Sequence, residues 1–319
     1  MEQEATRDAY GKALLELGRQ NPDIVVLDAD TSSSTRTNWF AKEFPERFFN
    51  FGVAEANMIG YAAGLALAGK IPFVSSFAVF GSLRAYEQIR TSICWANLNV
   101  KIVLTHAGIS VGEDGASHQA IEDIAAMRAL PNMSVVVPAD ANETRRAIFA
   151  CLEYKGPMYI RLSRAKFPLL PDTGFEIGKA RIIKPGNDIS IIACGLMVFE
   201  ALKASDMLEK DGISARVVNM STIKPIDKEA IILAAKETKG IITAEEHSII
   251  GGLGSAVCEV LAEEKQAIVK RIGIQDVFGT SGKPEELLSY FKVDARAIHN
   301  EALQIVNCKF QIEKGENLQ

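Results

Sequence analysis

The sequence predicts an α/β protein with two doubly wound domains, each built on a mainly parallel sheet. Short continuous apolar runs alternate with amphipathic stretches along the chain, and this alternation is typical of strand–helix units in a parallel sheet. It is interrupted once, between residues 167 and 187, where prolines and glycines gather. We therefore expect a first domain at residues 1–170, a linker at 171–187 and a second domain at 188–319.

Composition narrows the class of function. The chain has 319 residues, 48% of them hydrophobic, and a formal net charge of -5, which gives no electrostatic case for nucleic acid or acidic membranes as partners. No apolar run is long enough to cross a bilayer, and the N-terminus lacks a signal-peptide core. The five cysteines form no close pair and the four histidines are dispersed. We expect reduced cysteines, a cytoplasmic location and no metal site on this chain.

The first domain is predicted to begin with a helix at residues 2–20, which carries Arg7. A buried strand at residues 24–27 then leads into a loop of aspartates, serines and threonines at 28–35. Loops at the carboxyl ends of parallel strands build the sites of such sheets, so this loop suits sugar hydroxyls or phosphate. Taken alone, a solvated helix cap is the better interpretation.

One carboxylate stands in a stretch of apolar and small residues. Residues 48–64 indicate a short aromatic strand, a turn at Gly52 and a helix, with Glu55 at the turn. The favourable helix dipole is the ordinary explanation for a glutamate in this place. The alternative is a buried acid that hydrogen-bonds a ring nitrogen of a cofactor, and the rest of the chain decides between the two.

The next predicted strand begins at residue 71 and is followed by Phe77 and Phe80. Two rings at this spacing belong more often to a core than to a platform for a cofactor. We expect a helix from about residue 83 to residue 95, with its apolar side chains directed inward.

A strand at residues 99–106 is predicted to end in His106. The glycine-rich loop at residues 107–119 follows and carries Asp114 and His118. Long polar loops between regular elements are more often functional than not.

The first domain closes with two more strands, at residues 134–137 and 158–162, the second of which leaves Arg164 at its end. The helix between them begins near Asp140, and Glu143 follows at the spacing of a capping box.

The second domain repeats the alternation of strands and helices. Its strands are expected at residues 189–193, 214–219, 240–244 and 267–274, and its helices at 197–211, 227–238 and from 275 onward. A turn at residues 245–254 contains three glycines and is expected to lead into a further helix. Because the spacing of a dinucleotide or P-loop fingerprint is missing, a tight turn is favoured over a phosphate site.

Several of these segments occur together in one known family, and always in this order. They are Phe51-Gly52-Val53-Ala54-Glu55, Ser76-Phe77-Ala78-Val79-Phe80, Gly112-Glu113-Asp114-Gly115-Ala116-Ser117-His118-Gln119, Leu130-Pro131-Asn132 and Leu162-Ser163-Arg164. The chain resembles the C-terminal half of transketolase, a thiamine diphosphate enzyme, over nearly its whole length. The second domain, through Glu245-Glu246-His247 and Gly251-Gly252-Leu253-Gly254, is as similar to deoxyxylulose-phosphate synthase and to the beta subunits of 2-oxo acid dehydrogenases.

The resemblance also implies a missing part. Thiamine enzymes hold the diphosphate through a metal bound by a Gly-Asp-Gly motif and a later Asn, and this sequence contains no Gly-Asp-Gly. The resemblance therefore implies the C-terminal subunit of a split transketolase. A separate N-terminal subunit would hold the diphosphate and Mg²⁺ (or Ca²⁺), and paired pyrimidine domains would give a heterotetramer of two plus two chains.

The resemblance assigns residues to roles one by one. Glu55 matches the glutamate that hydrogen-bonds the pyrimidine N1′, Phe77 and Phe80 match the stacking residues, and Asp30 matches a loop aspartate near the cofactor. Asp114 matches an aspartate that contacts a sugar hydroxyl, and His118 a histidine beside the reacting carbons. The cluster expected at the phosphate end of the sugar substrate comprises Arg7, Ser34, His106 and Arg164.

Three hypotheses remain at this level. The first is a transketolase subunit that moves a two-carbon ketol unit between sugar phosphates. The second is the beta subunit of a 2-oxo acid dehydrogenase or a deoxyxylulose-phosphate-synthase-like enzyme, and the third is a non-catalytic chain that kept the fold. Ala116 and Ser117 stand where transketolases usually have Pro-Thr, so the sugar itself stays open.

Overall fold

The computed structural model describes residues 3–171 and 174–313. The strands are β1 Gln3–Ala5, β2 Ile24–Asp28, β3 Phe48–Asn50, β4 Ile71–Ser75, β5 Lys101–Leu104, β6 Ser134–Val136, β7 Met158–Arg161, β8 Lys166–Pro168, β9 Arg181–Lys184, β10 Ile189–Ala193, β11 Ala215–Asn219, β12 Thr222–Lys224, β13 Ile241–Ser248 and β14 Val269–Ile274. The α-helices are α1 Thr6–Gln20, α2 Ser32–Thr35, α3 Asn38–Glu43, α4 Glu55–Leu67, α5 Tyr86–Gln88, α6 Asp123–Ala129, α7 Ala141–Glu153, α8 Met197–Lys210, α9 Lys228–Glu237, α10 Leu253–Glu264, α11 Pro284–Tyr290 and α12 Ala295–Glu313. Short 3-10 turns lie at Pro45–Arg47 and Ile109–Val111, and π-helical turns at Val79–Arg84 and Ile89–Cys94.

Two large sheets organise the molecule, as the sequence predicted. The first has the order β12-β6-β7-β5-β4-β2-β3 and the second β14-β13-β10-β11-β9. Within each sheet the neighbouring strands are parallel, except that β12 and β9 join antiparallel at an edge. Helices cover both faces, which is why strands such as β2 and β10 are buried at every position.

Three clusters of buried apolar side chains form the core. One lies between the first sheet and α4, and extends to α9 and α10 of the second domain. A second lies under α8 and α12 in the second domain, and the third lies under α1 and α7 on the other face of the first sheet. Since the first cluster is shared by both domains, burial of apolar surface also holds the domains together.

Polar contacts across the domain boundary add to this packing. Arg161 of the first domain donates from Nη2 to the carbonyl oxygen of Glu246 in the second domain at 3.0 Å, and its Nε is held within the first domain by Asp123 Oδ2 at 2.7 Å. The amide of Ser248 donates to the carbonyl oxygen of Ile121 at 2.8 Å. Burial works to raise the pKa of Asp123, but the charges of Arg161 and His247 and the hydrogen bonds from Arg161 and Tyr159 together outweigh it, so this pKa is lowered.

The structure differs from the sequence-based elements mainly at short strands. The first helix begins at Thr6 rather than residue 2, because Gln3–Ala5 pairs antiparallel with Lys166–Pro168. The segment expected as a linker, 171–187, contains β9, which pairs with β11, and residues 172 and 173 of it lie outside the described residues. The strand expected at 240–244 continues through Ser248.

The helix expected at residues 83–95 begins earlier and winds unusually. Helical backbone runs from Val79, and the segments Val79–Arg84 and Ile89–Cys94 are π-helical. Such turns carry i→i+5 hydrogen bonds and occur frequently at functional sites. Within the described residues, no helix is both long and apolar enough to span a bilayer.

Candidate functional site

Asp28 folds the polar loop that follows β2. Its buried carboxylate accepts hydrogen bonds from the amide and hydroxyl of Thr31 at 2.6 and 3.1 Å, and from the hydroxyls of Thr35 and Thr37 at 2.8 Å each. Burial raises the pKa of Asp28 against the opposing effect of these bonds. The aspartate therefore supports the loop from within, and the loop brings the carbonyl oxygen of Ser34 to Arg7, whose Nη1 donates to it at 3.2 Å.

His106 lies at the centre of the polar cluster. Its Nε2 is 3.3 Å from Arg7 Nη1, and its Nδ1 is 2.8 Å from the hydroxyl oxygen of Thr105. The ring stacks on Phe77 with 4.0 Å between centroids. The backbone of His106 is left-handed, with φ 59, a conformation that only a few residue types, including His and Asn, adopt readily. The end of β5 thus fixes the imidazole between a guanidinium and an aromatic ring.

The electrostatics of this cluster keep His106 neutral. Burial, followed by the positive charges of Arg7, Arg164 and Arg36, lowers the pKa of His106 to about 3. Burial also lowers the pKa of Arg7, with Arg36 as the next cause. Because Arg36 donates to Asp8 at 2.5 Å, much of its charge is already compensated. An anion entering the cluster would meet the charges of Arg7 and Arg164 and a neutral imidazole.

The loop at residues 112–119, here called the histidine loop, brings Asp114 and His118 to the same place. Arg164 Nη1 lies 3.5 Å from Asp114 Oδ2 and donates to the carbonyl oxygen of Val111 at 2.8 Å. His118 meets the face of Phe80 edge-on, with 5.2 Å between ring centroids. His118 therefore lies against the aromatic pair, which the stack of His106 on Phe77 joins to the polar cluster.

Glu55 begins α4 and is buried, with 1% of its surface exposed. Arg84 Nη1 donates to its Oε2 at 2.9 Å, and the same guanidinium lies 4.7 Å from the centroid of the Phe80 ring. Within the described part of the chain, Oε1 of Glu55 makes no hydrogen bond. One oxygen of the buried Glu55 side chain thus has no protein partner in the described ranges, and Arg84 links this side chain to the Phe77–Phe80 pair, whose ring centroids are 6.2 Å apart.

The structure brings most of the expected site residues together, with two exceptions. Direct contacts link five of them, which are Arg7, His106, Phe77, Phe80 and His118. Arg164 pairs with Asp114 and is close enough to lower the pKa of His106 by its charge. Glu55 joins the aromatic pair through Arg84. Asp30 is exposed, and its hydrogen bonds are to Asn50. Ser34 contributes its carbonyl oxygen, not its hydroxyl.

Arg84 is the functional candidate that sequence reasoning missed. It belongs to an expected helix, and an arginine there is ordinarily a solvated charge. The signal that could have found it was its spacing, since it follows Phe80 by four residues on a helical segment and such residues lie on one face.

The glycine turn before α10 binds an anion that belongs to the chain itself. The amides of Leu253 and Gly254 donate to the buried Glu245 carboxylate at 2.7 and 2.8 Å. A Cβ atom on Gly252 would lie 1.9 Å from Glu245 Oε2. This agrees with a tight turn and leaves no cradle for a phosphate. Among the residues that the structure describes, no three His, Cys, Asp or Glu side chains are grouped so as to hold a metal.

Comparisons with known proteins agree with this architecture. Residues 2–168 match the transketolase pyrimidine binding domain, and residues 178–298 match the transketolase C-terminal domain. A Methanocaldococcus jannaschii protein named as a transketolase C-terminal section is 55% identical over 92% of this chain and 93% of its own length. A 6-deoxy-6-sulfo-D-fructose transketolase subunit from a Clostridium species is 40% identical, with 97% of each chain covered.

Solved structures give the same result. A split gene transketolase solved as an inactive beta4 tetramer has a TM-score of 0.87 at 53% identity, and the match covers 95% of this chain and 98% of that chain. The transketolase of Campylobacter jejuni has a TM-score of 0.83 at 26% identity, but only 47% of its chain is covered.

The chain belongs to the transketolase family of thiamine diphosphate enzymes. Within that family it is similar to the C-terminal subunit of a split transketolase, because it spans nearly all of such relatives and about half of a full-length enzyme. The predicted two-domain α/β fold is confirmed.

Proposed function

We propose that this chain is the C-terminal subunit of a two-chain transketolase, which transfers a two-carbon ketol unit from a ketose phosphate to an aldose or aldose phosphate. The observation that carries the proposal is the buried Glu55, whose Oε1 has no hydrogen-bond donor among the described residues and whose partner Arg84 lies against the Phe80 ring. A scaffold has no use for such an acid. The match to transketolase domains favours this reaction over acyl transfer by a 2-oxo acid dehydrogenase or deoxyxylulose-phosphate-synthase-like chemistry.

The residues fit thiamine diphosphate on one side of the site. When bound, thiamine diphosphate supplies the nucleophilic carbon and the electron sink that ketol transfer requires. Glu55 would donate a hydrogen bond, as a carboxylic acid, to a pyrimidine ring nitrogen and share its proton with it. Phe77 and Phe80 would hold the ring face and exclude water. Asp30, on its exposed loop, is assigned to the edge of the cofactor site.

The other side of the site suits a sugar phosphate. Arg7 and Arg164 supply the positive charge for a phosphate dianion, and His106 and Ser34 complete its polar surround. Asp114 accepts from a sugar hydroxyl, and His118 moves or holds a proton near the reacting carbons. Since His106 is neutral near pH 7, it binds as a hydrogen-bonding group and not as a charge.

A second chain completes the enzyme in this proposal. The N-terminal subunit holds the diphosphate through Mg²⁺ or Ca²⁺, which the absence of Gly-Asp-Gly from this sequence supports. Self-association through the pyrimidine domains gives two copies of each chain. The split gene relative is an inactive beta4 tetramer, which supports both self-association and the inactivity of this chain alone. The cytoplasmic location expected from the sequence belongs to the same proposal.

The test is reconstitution. The purified chain with thiamine diphosphate and Mg²⁺ should be inactive. Addition of an N-terminal subunit should give ketol transfer, which is measured as the release of the aldose product from each member of a panel of ketose phosphates. A panel is needed because relatives are named for different sugars: one is a 6-deoxy-6-sulfo-D-fructose transketolase subunit, and another is an apulose-4-phosphate transketolase subunit. Turnover by the isolated chain would overturn the two-chain assignment.

Glu55→Gln in the reconstituted enzyme tests the residue that carries the proposal. We expect kcat to fall by about 100-fold or more, because an amide oxygen cannot take up the proton that a carboxylate shares with the ring nitrogen. Thermal unfolding of the variant reports whether the fold is intact. If the folded Glu55→Gln enzyme has wild-type kcat, Glu55 takes no part in the reaction and is only a charge at the N-terminus of α4.

A further inference from the structure

The second domain reaches into the first at the histidine loop. The segment at residues 275–283, between β14 and α11, is here called the strap, and it packs against the loop at residues 112–119. Gln119, which follows His118, is buried and donates from Nε2 to the carbonyl oxygen of Thr280 at 2.9 Å. The same amide donates to the carbonyl oxygens of Ile109 and Gly112 at 3.3 Å each. One side chain thus joins both ends of the histidine loop to the strap.

A second bond lies at the other end of the loop. The hydroxyl of Ser281 donates to the carbonyl oxygen of Glu113 at 2.6 Å. Glu113 immediately precedes Asp114, so this bond restrains the backbone from which the Asp114 side chain projects. Ser281 is itself exposed, and its replacement therefore leaves no buried group unpaired.

Close packing accompanies these bonds. A Cβ atom on Gly279 would lie 1.8 Å from Gln119 Oε1. A Cβ atom on Gly112 would lie 3.3 Å from Pro284 Cδ. Gln119 has little room to retreat from an added methyl group at Gly279, because its amide is tied to three carbonyl oxygens and its side chain is buried.

The histidine loop, all of which the structure describes, forms no helix or strand of its own that would hold Asp114 and His118. Its described internal bonds are short turns, such as the amide of His118 to the carbonyl oxygen of Gly115 at 3.0 Å. Polar groups must be held within a fraction of an ångström for efficient catalysis, and a misplacement of about 1 Å can cost on the order of 100-fold in rate. The contacts with the strap are therefore placed where they affect function.

We propose that the strap is a positioning element for the ketol-transfer reaction, in which Ser281 and Gln119 hold the histidine loop so that Asp114 and His118 face the sugar substrate. This gives the second domain a role in the reaction that is exerted through the histidine loop. The inference rests on the proposed function, but the two can fail separately in the experiment below.

The experiment compares three strap variants in the full chain. Ser281→Ala removes the hydroxyl donor, and Gly279→Ala forces Gln119 to move, without backbone strain because the φ of Gly279 is not positive. Thr280→Ala is the matched control, since its side chain is exposed and the bond to Gln119 uses the backbone oxygen. Ser281→Thr keeps the hydroxyl and is the conservative rescue.

The first readout needs no activity. The chain has four histidines, so the imidazole C–H signals can be resolved by NMR and assigned by substitution. Ser281→Ala and Gly279→Ala should shift or broaden the His118 signals and leave those of His299 unchanged. Thr280→Ala and Ser281→Thr should leave both unchanged. Unaltered His118 signals in both Ser281→Ala and Gly279→Ala would overturn the proposal.

The second readout is kinetic and uses the reconstituted complex. Ser281→Ala should lower kcat by about tenfold with a smaller change in KM, because the loop still forms but its polar groups are less well aligned. Thr280→Ala and Ser281→Thr should stay within about twofold of the parent enzyme. Wild-type kcat in Ser281→Ala also overturns the positioning role. If the parent complex shows no ketol transfer, the proposed function fails, whereas a response of His118 in the first readout would still show that the strap positions the loop.

Discussion

The protonation of His106 provides a sensitive test of the electrostatics of the polar cluster. Burial and the charges of Arg7 and Arg164 lower the pKa of His106 from 6.5 to about 3 in the folded protein. In the unfolded chain the same imidazole titrates near 6.5. The stability that a neutral His106 contributes is therefore fully present above pH 6.5 and is lost as the pH falls toward 3, because the unfolded state takes up the proton first. Between pH 7 and pH 5 this loss amounts to about 2 kcal/mol.

Glu246 has the opposite effect on the pH dependence of stability over the same range of pH. Burial raises the pKa of Glu246 to about 7, from a usual value of 4.5. Its favourable contribution is fully present below pH 4.5 and is lost as the pH rises through 7, because the folded state holds the proton more tightly. The stability of the wild-type chain sums both effects. Only the difference between a variant and the wild type isolates His106.

The assay is urea unfolding of the full chain at pH 7 and pH 5. His106→Asn removes the titrating group, and asparagine tolerates the left-handed backbone at φ 59. Relative to wild type, His106→Asn should gain about 2 kcal/mol in the free energy of unfolding between pH 7 and pH 5. Relative to wild type, the control Glu246→Gln should lose about 2 kcal/mol in the free energy of unfolding over the same change of pH. If the difference between His106→Asn and wild type is the same at both pH values, the imidazole is not held neutral by its surroundings.

Three further predictions follow from single contacts. Arg84→Gln should lower the free energy of unfolding by about 1–2 kcal/mol. The substitution leaves the buried Glu55 without its charged partner, but the cost is moderate because Arg84 is itself half exposed. An unchanged urea midpoint would contradict this. Arg164→Gln in the reconstituted enzyme should raise KM at least about tenfold for phosphorylated donors and less for unphosphorylated ones, and equal losses would remove Arg164 from phosphate binding. Gly252→Ala should cost about 1–3 kcal/mol by overpacking against Glu245, and an unshifted thermal midpoint would be inconsistent with that contact.

The strand–helix alternation was readable from the sequence because each central strand is buried on both faces. The run at residues 24–27 is entirely apolar, and in the structure β2 lies inside the first sheet between β3 and β4. Local side-chain chemistry was equally readable. Asp140 caps α7 by accepting from the amide of Glu143 at 2.8 Å, as its spacing indicated.

The short antiparallel strands were not readable. Arg181–Lys184 is partly exposed and is flanked by turn residues on both sides, so it does not form part of a long apolar run. Thr222–Lys224 has three residues, and it pairs with β6 of the other domain. Strands of this kind owe their conformation to an available sheet edge, which a local pattern does not reveal.

The residues of the site likewise differ in whether their positions could be predicted from the sequence. The sequence by itself determined the two-domain α/β class and placed His106 at a strand end and Asp114 and His118 on the polar loop that follows, because apolar periodicity and turn chemistry are local properties. Only the tertiary structure decided that Arg84 pairs with Glu55, that Asp28 supports its loop from within and that the strap holds the histidine loop. These contacts join residues far apart in the chain or on different elements, and their geometry depends on how the sheets and domains pack.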